Sequence, residues 1–356
     1  MMSKMTTFER FKRMYEHKEA DRIPIFDFPW SSTIKRWEKE GIPKGNDYRD
    51  FFNIDKVATI SADNSPRYPH KVIEETDKYI IFTSQWGVTQ RQWKNSNSTP
   101  EFLDYTVIDN DTWLKAKDRM TPDRDRIPWD YLSVDYKKWR QEGQWVEALL
   151  WFGFDVTHSW MSGTERILIA LMEEPEWCID MFNHYLDVNI KLLDMVWDAG
   201  YKFDSVMWYD DMGYKGSQFF SLKTYREILK PVHKRAVDWA HAKGVKVRLH
   251  SCGDINPFIQ DLVEIGVEAL NPLEVKAGMN PIELKKKYGE ELVLHGGMNA
   301  LLWEDIGAME SEIRRLIPIL KENGGYIFAS DHSVPSNVSL ENFRYATDLI
   351  KNIGRY

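Results

Sequence analysis

The stretch GVKVRLHSCGD, residues 244 to 254, decides how the chain folds. Gly244 follows a helical stretch over 222–242 and supplies the left-handed cap that ends such a helix. Residues 245–249 form a short apolar run of strand type, and 255–265 turn helical again. A capped helix, a short buried strand, a loop and a second helix make one unit of a parallel sheet with crossover helices. On an extended segment residues i and i+2 face the same side, so His250 and Cys252 leave the strand end together. Imidazole nitrogen and thiolate can converge there on one zinc ion. The alternative is a thiol packed as a small hydrophobe beside a histidine satisfied by backbone.

The same unit recurs outward from this stretch. Strand runs are expected at 146–152, 203–208, 267–270, 292–294 and 326–329, and helices at 177–198, 222–242 with a break at Pro231, 255–265, 282–288 and 304–322, with 340–353 closing the chain. Gly200, Gly266, Gly289 and Gly324 stand where further helix caps are wanted. Towards the N-terminus, 7–18 reads as a short helix and 23–28 as an opening strand. The stretch 30–145 is rich in Trp, Asp, Asn and Pro, lacks sustained helical periodicity, and reads as an N-terminal elaboration with short strands such as 79–84. The expected fold class is α/β, a (β/α)8 TIM barrel with that elaboration, 1–356 forming a single domain. Neither a dinucleotide-binding glycine fingerprint nor a nucleotide-phosphate loop occurs.

Composition narrows the partners. With 356 residues, 43% hydrophobic and 29% charged, the chain can bury a sizeable core, while a net charge of -8 opposes both nucleic acid and anionic membranes. Two cysteines, Cys178 and Cys252, are too few for a disulfide framework, and no apolar run approaches the ~20 residues that span a bilayer. The expected location is the cytoplasm.

Reactive side chains of a β/α barrel lie where strands run into the following loops. The strand ends here carry Tyr209, Asp210 and Asp211, then His250 and Cys252, then Glu274, then His295, then Asp331 and His332. His250, Cys252, His332 and Glu274 are the candidate metal ligands, with Asp331 as a further carboxylate. Asp210 and Asp211 are candidate catalytic groups, against a plain role in loop hydrogen bonding. His295 reads as a core histidine and Cys178 as a packed helix residue.

Five motifs carry a resemblance over nearly the whole chain: DDMG at 210–213, LHSCG at 249–253, ALNPLE at 269–274, HGGMN at 295–299 and SDHSVP at 330–335. The chain resembles the uroporphyrinogen decarboxylase superfamily, and within it the branch of corrinoid-dependent methyltransferases. In that branch a His-x-Cys pair after a barrel strand and a Cys after the last strand hold zinc. His250 and Cys252 match the pair, whereas His332 stands where the last Cys is expected. The decarboxylases carry an arginine-rich motif near the N-terminus, which 25–32 (IFDFPWSS) lacks, so a decarboxylase-type lyase is the weaker reading.

The resemblance implies one of two half-reactions. Either zinc polarises the heteroatom of a methylated substrate whose methyl group passes to a Co(I) corrinoid, or zinc binds a thiol acceptor that takes the methyl group from a methylcorrinoid. Phe26, Phe28 and Trp30 on the opening strand, with Tyr209, suit an aryl methyl ether and favour the first, an O-demethylase component. None of the nine histidines sits in the Asp-x-His-x-x-Gly context that ligates cobalt, so the cobalamin-type cofactor is expected on a separate corrinoid protein. A non-catalytic corrinoid-binding scaffold is the reading from another class.

Overall fold

A computed structural model of the chain describes residues 4–94 and 99–356. Residues 1–3 and 95–98, which fall in the N-terminal segment and in the 30–145 stretch, lie outside the described residues. The strands, in chain order, are β1 (Val57–Ile60), β2 (Lys71–Glu75), β3 (Tyr79–Thr83), β4 (Val88–Trp93), β5 (Glu101–Tyr105), β6 (Trp145–Leu150), β7 (Ser205–Tyr209), the short pair β8 (Gly213–Tyr214) and β9 (Ser217–Gln218), β10 (Lys246–His250), β11 (Ala269–Asn271), β12 (Val293–His295) and β13 (Tyr326–Ile327). One seven-stranded sheet runs in the order β1-β6-β7-β10-β11-β12-β13, and all its pairs are parallel.

The segment 23–28 closes this sheet into a barrel. Ile25 bridges Phe328 in parallel, Phe26 N donates to Phe328 O at 3.0 Å, and Asp55 N, just ahead of β1, donates to Ile25 O at 3.1 Å. The stave is bridged rather than laddered because Pro24 and Pro29 have no N–H to donate. Asp55 caps its start: buried, it receives Ile25 N and ion-pairs with Arg10 and Arg22.

The narrow end of the barrel is plugged by the helix Thr7–Tyr15, whose Phe11, Met14 and Tyr15 pack against Phe26 and Trp145. Tyr15 stacks on Trp145 at 5.4 Å and 11°. Each such ring removes ~150–250 Å² from water, roughly 4–6 kcal/mol at ~25 cal/mol/Å² as an upper estimate. Just above this plug Arg248 and Glu147 form a buried ion pair inside the barrel, with Ser205 Oγ donating to Glu147 at 2.9 Å.

The stretch 30–145 departs from its reading in two ways. It contributes β1 to the barrel itself, and it holds the helices Ser31–Glu40, Asn110–Lys117 and Trp129–Gln141. Their apolar stripes are thin: Trp129–Gln141 buries only Leu132 and Trp139, and Ser31–Glu40 only Thr33 and Trp37. Two buried positions in three turns produce no visible period. The rest of the stretch is largely the antiparallel sheet β2-β3-β4-β5. The expected helix over 222–242 is broken by a π-helical turn at Tyr225–Leu229, directly before Pro231, which cannot donate and whose ring crowds the carbonyl four residues back. Gly266 caps its helix in the left-handed region at φ 96°, whereas Gly289 ends its helix in the right-handed region at φ -68°, so the left-handed cap expected there does not form. Among the described residues no helix is long and apolar enough to cross a membrane.

Candidate functional site

The register of the parallel sheet sets three residues side by side at the mouth: His250 is paired with Tyr209 on β7 and with Asn271 on β11. Asn271 Nδ2 donates to His295 O at 3.1 Å, which turns its Oδ1 toward His250 Nδ1 at 2.6 Å. That acceptor fixes the proton on Nδ1 and leaves the Nε2 lone pair free. Nε2 faces Cys252 Sγ at 3.4 Å. Tyr209 packs its ring 4.6 Å from the imidazole and stacks on Trp151 at 5.5 Å.

Asp211 completes the group. One carboxylate oxygen, His250 Nε2 and Cys252 Sγ lie within 4.8 Å of one another, and the His250–Asp211 separation is 3.9 Å. Asp211 also accepts Cys252 N at 2.8 Å, tying the β7 loop to the β10 loop. Those loops touch at Gly253 (φ 82°), where a Cβ would stand 2.0 Å from the Gly213 carbonyl carbon, so only glycine fits.

Burial dominates the electrostatics of the group. Burial, then the carboxylates of Asp211, Glu274 and Asp155, push the Cys252 thiol well above its ordinary value. Asp211 is pushed up to about 7 by burial and by the charges of Asp155 and Asp210. Burial pushes His250 down to about 4, the Arg248 guanidinium adding to it, so the imidazole is neutral at pH 7. A neutral imidazole, a thiol and a carboxylate form the donor set a divalent zinc ion would ionise and occupy. The 3.4 Å His–Cys separation matches the ~3.5 Å between N and S donors on a tetrahedral zinc. The residues present therefore fit the metal.

The remaining candidates fall outside that group. Glu274 accepts Gly253 N at 2.7 Å and faces Lys276 at 3.5 Å, next to the cluster but bracing its loop. His332 packs at the rim, its ring 6.0 Å from Trp30, and burial and Lys276 push its pKa down. Asp331 gives one oxygen to Ala300 N and the other to Val275 N. Asp210 points away from the mouth: wholly buried, it accepts His233 Nε2 at 2.7 Å and Asp155 N at 2.8 Å. It therefore positions the strand end, and Gly153, where a Cβ would meet its Oδ2 at 2.4 Å, leaves it room. Phe28 and Trp30 stand at the rim, 40% and 37% exposed, but Phe26 is buried inside the barrel, stacked on His295 at 5.6 Å. His295 is a core histidine, its Nε2 donating to Phe26 O at 2.8 Å, and Cys178 is buried in its helix.

Sequence reasoning missed Asp155, Trp151 and Asn271. Asp155 follows β6, receives Ser159 Oγ at 3.1 Å and lies 3.4 Å from His158 Nε2. The strand-end rule applied to 146–152 would have found both it and Trp151.

The family model described as uroporphyrinogen decarboxylase (URO-D) matches residues 154–353. Among solved structures the chain is similar to a methyltransferase from Methanosarcina mazei, with 13% identity over 98% of this chain and 99% of that one and a TM-score of 0.63, a likeness of fold. A B12-independent methionine synthase from Shewanella sp. W3-18-1, solved with selenomethionine, is more distant at 8% identity, coverage of 86% and 83%, and a TM-score of 0.43. A comparison with curated proteins finds no match.

Proposed function

We propose, from the premise that this chain belongs to the uroporphyrinogen decarboxylase family, that it is a cytoplasmic zinc-dependent methyltransferase, one barrel unit over 1–356, that moves a methyl group from an aryl methyl ether to the Co(I) corrinoid of a separate protein. The observation that carries this reading is the His250–Cys252–Asp211 group, with His250 locked in one tautomer by Asn271. His250, Cys252 and Asp211 would hold the metal, with Glu274 and His332 at its margin. Bound there, zinc supplies Lewis acidity toward the ether oxygen.

The chain's own residues do the rest. Asn271 keeps the imidazole lone pair aimed at the site, and the Asp210–His233 pair fixes the strand end from which Asp211 turns inward. Tyr209 and Trp151 give the site an apolar wall that excludes water from one side. Asp155, hydrogen-bonded by Ser159, stands close enough for its charge to act on Asp211 and Cys252. A corrinoid on the partner protein would supply the nucleophilic electron pair for the methyl carbon as its bond to oxygen breaks, leaving a phenolate at this site. Exposed Phe28 and Trp30 at the rim suit the docking of the corrinoid protein.

The test is a zinc determination on the purified chain followed by an anaerobic screen with Co(I) corrinoid against aryl methyl ethers, methylamines, methanol and methyl thiols. About one zinc per chain and methyl-Co(III) from the aryl ethers alone are expected. Absence of zinc refutes the metal reading, and methyl-Co(III) from another class refutes the substrate.

A further inference from the structure

The helix Thr164–Glu173, which follows the π-helical turn Val156–Ser162, is apolar on two faces. Ile167, Ala170 and Leu171 are buried and belong to the core. Glu165, Leu168, Ile169 and Met172, spaced i, i+3, i+4 and i+7, form the outer face, where Ile169 is 50% and Met172 75% exposed. A surface helix normally carries polar side chains on that face. Here the face walls a groove of about 510 Å³, closed on its other side by Tyr105 and Ile108 after β5 and by Trp177 on the helix Pro175–Asp198. The groove continues along the helix past Leu168 and Met172, and Ile108, 45% exposed, extends its apolar floor.

Charge narrows what can cover it. Glu165, Glu173 and Glu174 edge the groove, and none of them has a cationic partner among the described residues. Asp109 adds a carboxylate, engaged as a helix cap by Thr112 N at 2.8 Å. Arg166, the cation lining the groove among the described residues, is held by the Ser162 carbonyl and lies over the Tyr105 ring at 6.0 Å. Like charge disfavours a second copy of the chain, which would bring the same glutamates to both sides of the interface, and it disfavours nucleic acid and anionic lipid equally. A helix whose apolar stripe is bordered by lysine or arginine answers both features: its apolar side chains cover Ile108, Ile169 and Met172, and its cations reach the glutamates.

We propose that this groove docks a basic amphipathic helix of another protein. Thr164 at the head of the helix lines the groove, and its Oγ1 lies 3.0 Å from His158 Nδ1 on the turn that follows Asp155. A partner seated here therefore rests against the segment that leads out of β6 at the barrel mouth. None of the candidate metal ligands lines the groove, so its occupation is read without zinc or corrinoid.

The experiment is fluorescence anisotropy of three labelled peptides, LKKLLKLLKKLLKL, LEELLELLEELLEL and SKKSSKSSKKSSKS, titrated with the full-length chain. The leucine–lysine peptide is expected to bind at least about tenfold tighter than either control, because it alone supplies both apolar anchors and cations. Ile169→Lys and Met172→Lys should each weaken it about tenfold with an unchanged circular dichroism spectrum, since both side chains are exposed. Val134→Lys adds the same charge at an apolar residue 72% exposed outside the groove, on the helix Trp129–Gln141, and should leave the affinity within about twofold. Equal binding of the three peptides, unaltered affinity in both groove variants, or an equal loss in Val134→Lys overturns the proposal. Sedimentation of the chain alone decides the other occupant. One unchanged mass in parent and Met172→Lys is expected, whereas a dimer that Met172→Lys dissociates assigns the groove to a second copy and overturns the basic partner.

Discussion

Replacing Asn271 by leucine tests whether the hydrogen bond behind His250 prepares the metal centre. The side chain is buried, 4% exposed, so no water takes the place of the acceptor 2.6 Å from Nδ1. Without it the imidazole is free to carry its proton on Nε2, the atom that faces Cys252. Loss of such an outer partner weakens metal binding ~10–100-fold, which is about 1.4–2.7 kcal/mol. A separate cost falls on the fold, because His295 O loses its donor from Asn271 Nδ2, about 1–3 kcal/mol. The two are separated by zinc competition against a chromophoric chelator and by urea unfolding of the metal-free protein. Asn271→Asp keeps an acceptor for Nδ1 but loses the donor to His295 O, so it should hold zinc within about threefold of the parent while losing stability as the leucine variant does. Zinc held by Asn271→Leu as tightly as by the parent, or lost equally by Asn271→Asp, would refute the reasoning.

Three further sets of substitutions probe the site and the barrel beneath it. Cys252→Ala and Asp211→Asn should each lose most of the zinc with the fold intact, whereas His332→Ala should retain it within a few-fold; metal analysis after gel filtration decides, and the reverse order would restore His332 as a ligand. Arg248→Met leaves Glu147 buried and unpaired and should cost ~3–5 kcal/mol in urea unfolding, most of it recovered on adding Glu147→Leu; no recovery would mean that the pair matters for packing and not for charge. Asp27, pushed up to about 6 by burial against hydrogen bonds from Ser330 and Phe28, ionises later in the fold than in the unfolded chain, so its contribution falls by about 3 kcal/mol as pH rises from about 4 to 6, at ~1.36 kcal/mol per unit. Asp27→Asn should flatten that part of the stability–pH curve, and an unchanged slope would contradict the shift.

The barrel was legible because its later half repeats one local unit. Six strand runs and the helices between them follow from short windows of apolar residues closed by capping glycines, and the structure places β6, β7 and β10 to β13 within a few residues of those runs. β1 was hidden, since only the four residues Val57–Ile60 form it and the helix before it, Tyr48–Phe52, is too short to show a period. The break before Pro231 was readable from proline chemistry, though its form as a π-helical turn was not.

For the site, the His250–Cys252 convergence was determined by the sequence alone, because side-chain alternation along an extended strand is a property of the backbone and needs nothing beyond three consecutive residues. Which aspartate joins them was decided by tertiary structure. Asp210 and Asp211 are chemically alike neighbours, and what separates them is His233 on the helix Lys230–Ala242, which takes Asp210 into the sheet–helix interface and leaves Asp211 to the mouth. Glu274 and His332 likewise sit at strand ends, but loop paths carry one onto Gly253 N and the other to Trp30. The bond from Asn64 Nδ2 to the Trp151 carbonyl lies furthest from any local reading, since the two residues are 87 positions apart in the chain. Strand ends name the rim on which side chains gather; the distances among them are set by sheet register, helix packing and loop closure, which couple residues that no sequence window contains together.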